Sequence, residues 1–117
     1  MISRGDVVMV RFPFTDVPGN KVRPALVIQN DRDNGRLRKT VVAMISTNLR
    51  CLGDPSHLLV DPGHPDGVSS GLSRVSLASC NNLYTVEQDD VLRTIGHLSD
   101  VLLASLNDCL KSALEIT

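Results

Sequence analysis

Apolar positions come in short bunches along most of the chain and take helical spacing only near its end. Val7-Val8-Met9-Val10-Arg11-Phe12 is almost continuously apolar, which predicts a first strand covered on both faces. Pro13-Phe14-Thr15-Asp16-Val17-Pro18-Gly19-Asn20 reads as a loop rich in turn formers. Ala25 to Ile28 is a second strand, and Thr40 to Ile45 a third that runs into Ser46-Thr47-Asn48. Between them lies a polar, arginine-rich connection, with Asn34-Gly35 as the expected tight hairpin turn. His57 to Val60 is a short fourth strand. Residues 61 to 67, with two prolines and two glycines, read as a surface loop.

Arg74 to Ala78 alternates polar and apolar, the mark of a half-buried strand, and Leu83 to Val86 continues or follows it. Leu92 to Leu98 fits strand or helix, and Gly96 inside it favours strand. In the tail, Leu102, Leu103, Leu106, Cys109, Leu110, Ala113 and Leu114 recur at three- and four-residue spacing behind a capping Asp100. The pattern predicts a mainly β fold: six or seven short strands closing into a small barrel, then one amphipathic helix. Neither a repeat nor a composition shift divides residues 1–117, so a single domain is expected.

Composition narrows the function classes. The chain has 117 residues, 42% hydrophobic and 21% charged, enough for one real core. Aromatics are only 3%, which argues against a single-strand binder built on base-stacking platforms. No apolar run approaches the roughly 20 residues of a membrane span, and Met1 to Asp6 is not a signal peptide. Cys51, Cys80 and Cys109 are scattered, so free thiols in a reducing compartment, the cytoplasm, are expected. Net charge is −1, yet the distribution is uneven. Residues 21–50 carry Lys21, Arg23, Arg32, Arg36, Arg38, Lys39 and Arg50 against only Asp31 and Asp33. That segment is either a polyanion contact or a solvated hairpin.

Candidate chemistry gathers at two strand ends. Pro24 pushes Arg23 into an extended backbone at the start of strand two, where a guanidinium is held ready for a phosphate or carboxylate. Counted from the Asn34-Gly35 turn, Arg23 and Ser46 each lie about 11 residues out, so a hairpin brings them to one rim. Arginine with a Ser46 or Thr47 hydroxyl suits phosphate. The plainer alternatives are a solvated arginine and a hydroxyl that merely ends a strand. His57, His64 and His97 are scattered, without zinc spacing, and no nucleophile elbow or phosphate-binding glycine loop is present.

Together these stretches resemble the MazF/PemK toxins of type II toxin–antitoxin systems. The resemblance rests on Arg4-Gly5-Asp6-Val7-Val8, Phe12-Pro13-Phe14-Thr15-Asp16, Lys21 to Gln29, Ile45-Ser46-Thr47-Asn48, Ser70-Gly71-Leu72 with Ser76, and Ile95 to Asp100. It implies a small SH3-like β-barrel with a C-terminal helix. It also implies a homodimer, a cognate antitoxin, and sequence-specific cleavage of single-stranded RNA without a metal or other cofactor. In that reaction the ribose 2′-hydroxyl attacks the adjacent phosphorus, leaving a 2′,3′-cyclic phosphate and a 5′-hydroxyl.

On this resemblance Arg23 stabilises the phosphorane, and Ser46 or Thr47 donates to a non-bridging oxygen. Lys21, the hairpin residues Arg32, Arg36, Arg38 and Lys39, and Asn81-Asn82 become candidate RNA contacts, the hairpin also a candidate antitoxin contact. The chain departs from the family in two places. The loop before the arginine has no glutamate, and Asn81-Asn82 stand where some members carry the proposed aspartate base. The base is therefore open, with Asp16 and His57 as candidates. A non-catalytic reading also stands: a protein-binding toxin of the CcdB type, directed at gyrase, or a MazF-like module that has lost catalysis.

Overall fold

The computed structural model describes residues 1–12 and 21–117. The expected loop Pro13 to Asn20, Asp16 included, lies outside the described residues. Six strands follow in chain order: β1 (Asp6–Phe12), β2 (Lys21–Val27), β3 (Lys39–Ser46), β4 (His57–Val60), β5 (Ser76–Glu87) and β6 (Val91–His97). A short helix α1 (Asp31–Arg36) joins β2 to β3, and helix α2 (Asp100–Leu114) closes the chain. The strands form one antiparallel sheet in the order β4-β5-β3-β2-β1-β6. The mainly β fold with a C-terminal helix is as expected. The sheet is open rather than a closed barrel, with β4 and β6 as its edges.

Both sheet faces are apolar, which is why the strands read as near-continuous hydrophobic runs. One face carries Leu26, Ala43, Ile45, Leu58, Val60 and Cys80 and packs against Leu106 and Cys109 of α2. Leu102, Leu103, Leu110 and Ala113 flank that contact, so the helical stripe is the lid of this core. The other face carries Val8, Val10, Phe12, Ala25, Val27 and Val42, with Tyr84 edge-on to Phe12 at 5.7 Å.

Two local expectations are corrected. Asn34-Gly35 is not a hairpin turn but the last part of α1. Asn30 caps that helix by accepting from the Asp33 N–H at 2.8 Å. The Asn34 side chain is buried: its Oδ1 accepts from Thr40 Oγ1 (2.8 Å) and Gln29 Nε2 (2.9 Å), and its Nδ2 donates to the Gln29 carbonyl (2.9 Å). A hydrogen-bonding asparagine thus organises a turn-like sequence as a helix packed on the sheet.

Of the two expected arrangements, Leu83 to Val86 continues the strand that the preceding segment begins. One 12-residue strand, β5, runs through a bulge in which Cys80, Asn81 and Asn82 lie between the partners of Met44 and Ala43. Lastly, Ser99 rather than Asp100 caps α2, its Oγ accepting from Leu102 N at 3.3 Å.

Candidate active site

The β2–β3 ladder pairs Val27 with Val42, Leu26 with Ala43 and Ala25 with Met44. It stops beside Pro24, which has no N–H to give. Carried two positions further in the same register, Arg23 falls opposite Ser46. Strand alternation places Arg23 with Ala25 and Val27, and Ser46 with Met44 and Val42, on the face turned away from α2. Arg23 and Ser46 are both exposed. Both residues lie at the end of the β2–β3 pair away from the connection, which is a helix rather than a tight turn.

Past Ser46 the chain folds back on itself. Ser46 Oγ accepts from Asn48 N (3.1 Å), which leaves the hydroxyl hydrogen for another partner. Asn48 Oδ1 in turn accepts from Arg50 N (3.0 Å). Ser46, Asn48, Arg50 and Cys51 form one wall of a cleft of about 250 Å³, and His57, Leu77 and Ser79 form the other. Thr47 is exposed outside that lining.

His57 opens β4 opposite Ser79, and its side chain is only 9% exposed. Its Nδ1 is sealed from solvent and lies 3.3 Å from Asp54 Oδ1, without the alignment of a hydrogen bond. Asp54 Oδ1 also accepts from Ser56 N (2.8 Å). That backbone donor first, and His57 second, hold the Asp54 carboxyl below the ordinary carboxylate range. The sequence marked His57 only as titratable. Asp54 and Ser79 carried no signal beyond an aspartate two residues before a serine, the spacing of an Asx turn.

Electrostatics separate the two ends of the β2–β3 pair. At the Arg23 end, Arg11, Lys21, Arg23 and Arg50 have no ion pair among the described residues. Arg32, Arg36, Arg38 and Lys39 lie at the opposite end, roughly 23 Å along β3 at about 3.3 Å per residue. There Arg36 pairs with Asp33 (2.8 Å), Lys39 with Glu87 (3.8 Å), and Asp89 joins Arg38 around a separate hollow. The end of β5 brings acid to part of this basic segment, because Lys39 and Glu87 are register partners, while Arg32 and Arg38 have no ion pair among the described residues. Lys21 stays with Arg23 on the site end, and Asn81 and Asn82 are exposed on the β5 bulge. No group of three or more His, Cys, Asp or Glu among the described residues converges to hold a metal ion.

A family model described as the PemK-like, MazF-like toxin of type II toxin-antitoxin systems matches residues 3–114. The chain belongs to the PemK/MazF toxin family.

Two curated relatives are similar to this PemK/MazF chain over almost their whole length. Endoribonuclease EndoA of Bacillus subtilis is 26% identical over 117 residues, covering 99% of this chain and 97% of that protein. Endoribonuclease MazF9 of Mycobacterium tuberculosis is 28% identical over 122 residues, covering 99% and 98%. Among solved structures, an endoribonuclease in complex with its cognate antitoxin, from a mycobacterial species, superposes with a TM-score of 0.80 at 18% identity. It covers 100% of this chain and 98% of its own. The Mycobacterium tuberculosis toxin MazF-mt6 gives 0.77 at 24% identity, covering 96% and 98%. These structures establish the PemK/MazF fold for the open sheet with its C-terminal helix.

Proposed function

We propose that this toxin is an endoribonuclease that cleaves single-stranded RNA by attack of the ribose 2′-hydroxyl, and that a cognate antitoxin holds it dormant in the cytoplasm. The observation that carries this reading is the β2–β3 register, which when carried past Ala25–Met44 sets Arg23 opposite Ser46 at one strand end, with Ser46 lining a cleft and cations without an ion pair around it. A polyanion is drawn to that end of the sheet more than to the α1 end, where Arg36 and Lys39 are paired with acids.

With a scissile phosphate over the pair, the Arg23 guanidinium grips two oxygens through its planar fork. That grip strengthens as charge builds on the phosphorane, so it lowers the barrier rather than merely binding substrate. Ser46 turns its free O–H to a non-bridging oxygen. Of the two adjacent hydroxyls, Ser46 is favoured because it lines the cleft and Thr47 does not. Lys21 and Arg50 hold flanking phosphates. Asn81 and Asn82, whose amides both donate and accept, contact bases or sugars from the β5 bulge. The named relatives and the antitoxin-bound neighbour support the same assignment.

The test is incubation of the protein and its Arg23→Ala variant with a long unstructured RNA in the presence of chelator, followed by mapping of new 5′ ends. Discrete cuts bearing 5′-hydroxyls, absent with the variant, are expected. Amides at Asn81-Asn82, which cannot take a proton, favour the second reading, a toxin that acts by binding protein. Growth arrest with all RNA intact would select it.

A further inference from the structure

The proposed reaction needs a group to take the 2′-hydroxyl proton, and neither Arg23, Ser46 nor the Asn81-Asn82 amides suit that task at neutral pH. One side chain has no structural account so far. Among the described residues, His57 Nδ1 is the one buried side-chain nitrogen or oxygen without a hydrogen-bond partner. Its Nε2 makes no hydrogen bond either, yet it is not sealed from solvent, and the residue lines the cleft with Ser46 and Ser79. Nδ1 therefore faces Asp54, and Nε2 keeps contact with solvent on a residue that lines the cleft.

Asp54 is well fixed for this. Its backbone N–H donates to the Cys51 carbonyl (3.0 Å), its own carbonyl accepts from His57 N (3.0 Å), and Ser56 N binds its carboxylate (2.8 Å). Cys80 N then ties the Ser56 carbonyl to β5 (2.9 Å). A carboxylate beside Nδ1 favours the tautomer with hydrogen on Nδ1, which leaves the Nε2 lone pair free. The other titratable groups of the cleft are Arg50 and Cys51, and Cys109 of α2 lies within electrostatic reach of Asp54. Burial keeps Cys109 a neutral thiol.

We propose that His57, oriented by Asp54, is the proton acceptor for the RNA 2′-hydroxyl, an assignment that rests on the nuclease reading above. Nε2 takes the proton as the O2′–P bond forms and the P–O5′ bond breaks. The departing 5′ oxygen takes a proton from water, and the imidazolium returns its proton to the hydroxide that remains. His57 touches the reacting atoms, whereas Asp54 acts through His57 as a positioning residue.

The experiment compares single-turnover cleavage of one RNA by wild type, His57→Ala, His57→Gln and Asp54→Asn, with His64→Ala as a control outside the cleft. Loss of a general base is expected to slow His57→Ala by about 10²–10⁴-fold with RNA affinity retained. Wild-type rate should fall toward acid pH, because a protonated ring has no lone pair to accept the 2′-hydroxyl proton. That acid limb should vanish from the residual rate of the His57 variants. Asp54→Asn should lower kcat while leaving KM unchanged, and His64→Ala should match wild type.

A folded His57→Gln that cuts at the wild-type rate overturns the inference and leaves the nuclease reading standing. So does a wild-type rate that is flat with pH or falls on the alkaline side, a readout that needs no folded variant. Wild type that cuts no RNA overturns the nuclease reading itself, and this inference with it.

Discussion

Arg23 is aimed by its neighbours. Pro24 keeps it extended, β1 holds it opposite Val10, and no carboxylate among the described residues neutralises it. Its exposure means that Arg23→Ala should leave thermal stability within about 0.5 kcal/mol of wild type, as for other surface changes. Cleavage should nevertheless fall by at least about 10²-fold, the cost of one phosphorane donor. Ser46→Ala should lose rate in the same assay, while Thr47→Ala should keep most of it. An equal loss from both would contradict the choice between the two hydroxyls.

The cysteines make a separate residue-scale case. Burial pushes the Cys80 thiol from 9.0 up to about 12 and raises Cys109 as well, while Cys51 is exposed. In the unfolded chain Cys80 ionises at its ordinary value. The stability this thiol contributes is therefore intact below pH 9.0 and is lost as pH rises from there toward about 12. The slope approaches about 1.4 kcal/mol per pH unit for one thiol. Urea midpoints at pH 8 and above pH 10 should show that loss, and Cys80→Ala should reduce it. A thiol reagent at neutral pH should modify Cys51 at once and the other two only on unfolding.

At the scale of elements, α1 stands on one side chain. Asn34 satisfies the buried Thr40 hydroxyl, the Gln29 amide and the Gln29 carbonyl, and its own carbonyl accepts from Gln88 Nε2 (2.8 Å). Asn34→Ala leaves several of these groups without partners, so it should cost about 2–4 kcal/mol, read from urea unfolding. RNA cleavage by the folded fraction should persist, because α1 lies at the far end of β2 and β3 from Arg23.

The short 3₁₀ turn Val68–Ser70 is held to β6 by two glycines. A Cβ on Gly96 would strike the Ser70 and Ser69 backbone, and one on Gly71 the Ile95 carbonyl. Gly71 also sits at φ +72°, a conformation that favours glycine. Gly96→Ala should thus lower the melting temperature markedly for a single methyl, and a neutral result would sink this account of the contact.

For the whole molecule, charge placement matters more than net charge. A chain of net charge −1 offers RNA a cationic end in part because Glu87 and Asp89 lie at the α1 end, although Asp54 stands beside the cleft. Lys21→Ala and Arg50→Ala should each weaken RNA binding and reduce the log–log salt slope by about 0.7, the value for one phosphate contact on a single strand. Arg36→Ala and Lys39→Ala should leave the slope unchanged. The reverse pattern, measured by binding across a salt series, would move the RNA path to the α1 end.

The sequence by itself determined which segments are strands, because period and β-branched content act locally. It also determined the final helix, whose stripe repeats at three- and four-residue spacing over 15 residues. It further indicated that Arg23 and Ser46 belong to the same end of the β2–β3 pair, since strand order along the chain fixes which ends of an antiparallel pair meet. Tertiary structure decided the rest. Asn34-Gly35 has turn chemistry, but a helix wins because Thr40, Gln29 and Gln88 supply partners that local propensity does not include. Lys39 of the basic segment is paired in space because β5 pairs with β3 across a long sequence separation. His57 is legible in the sequence as one histidine among three. Only the packing of β4 on β5, with Asp54 behind the ring, turns it toward the cleft that Ser46 lines.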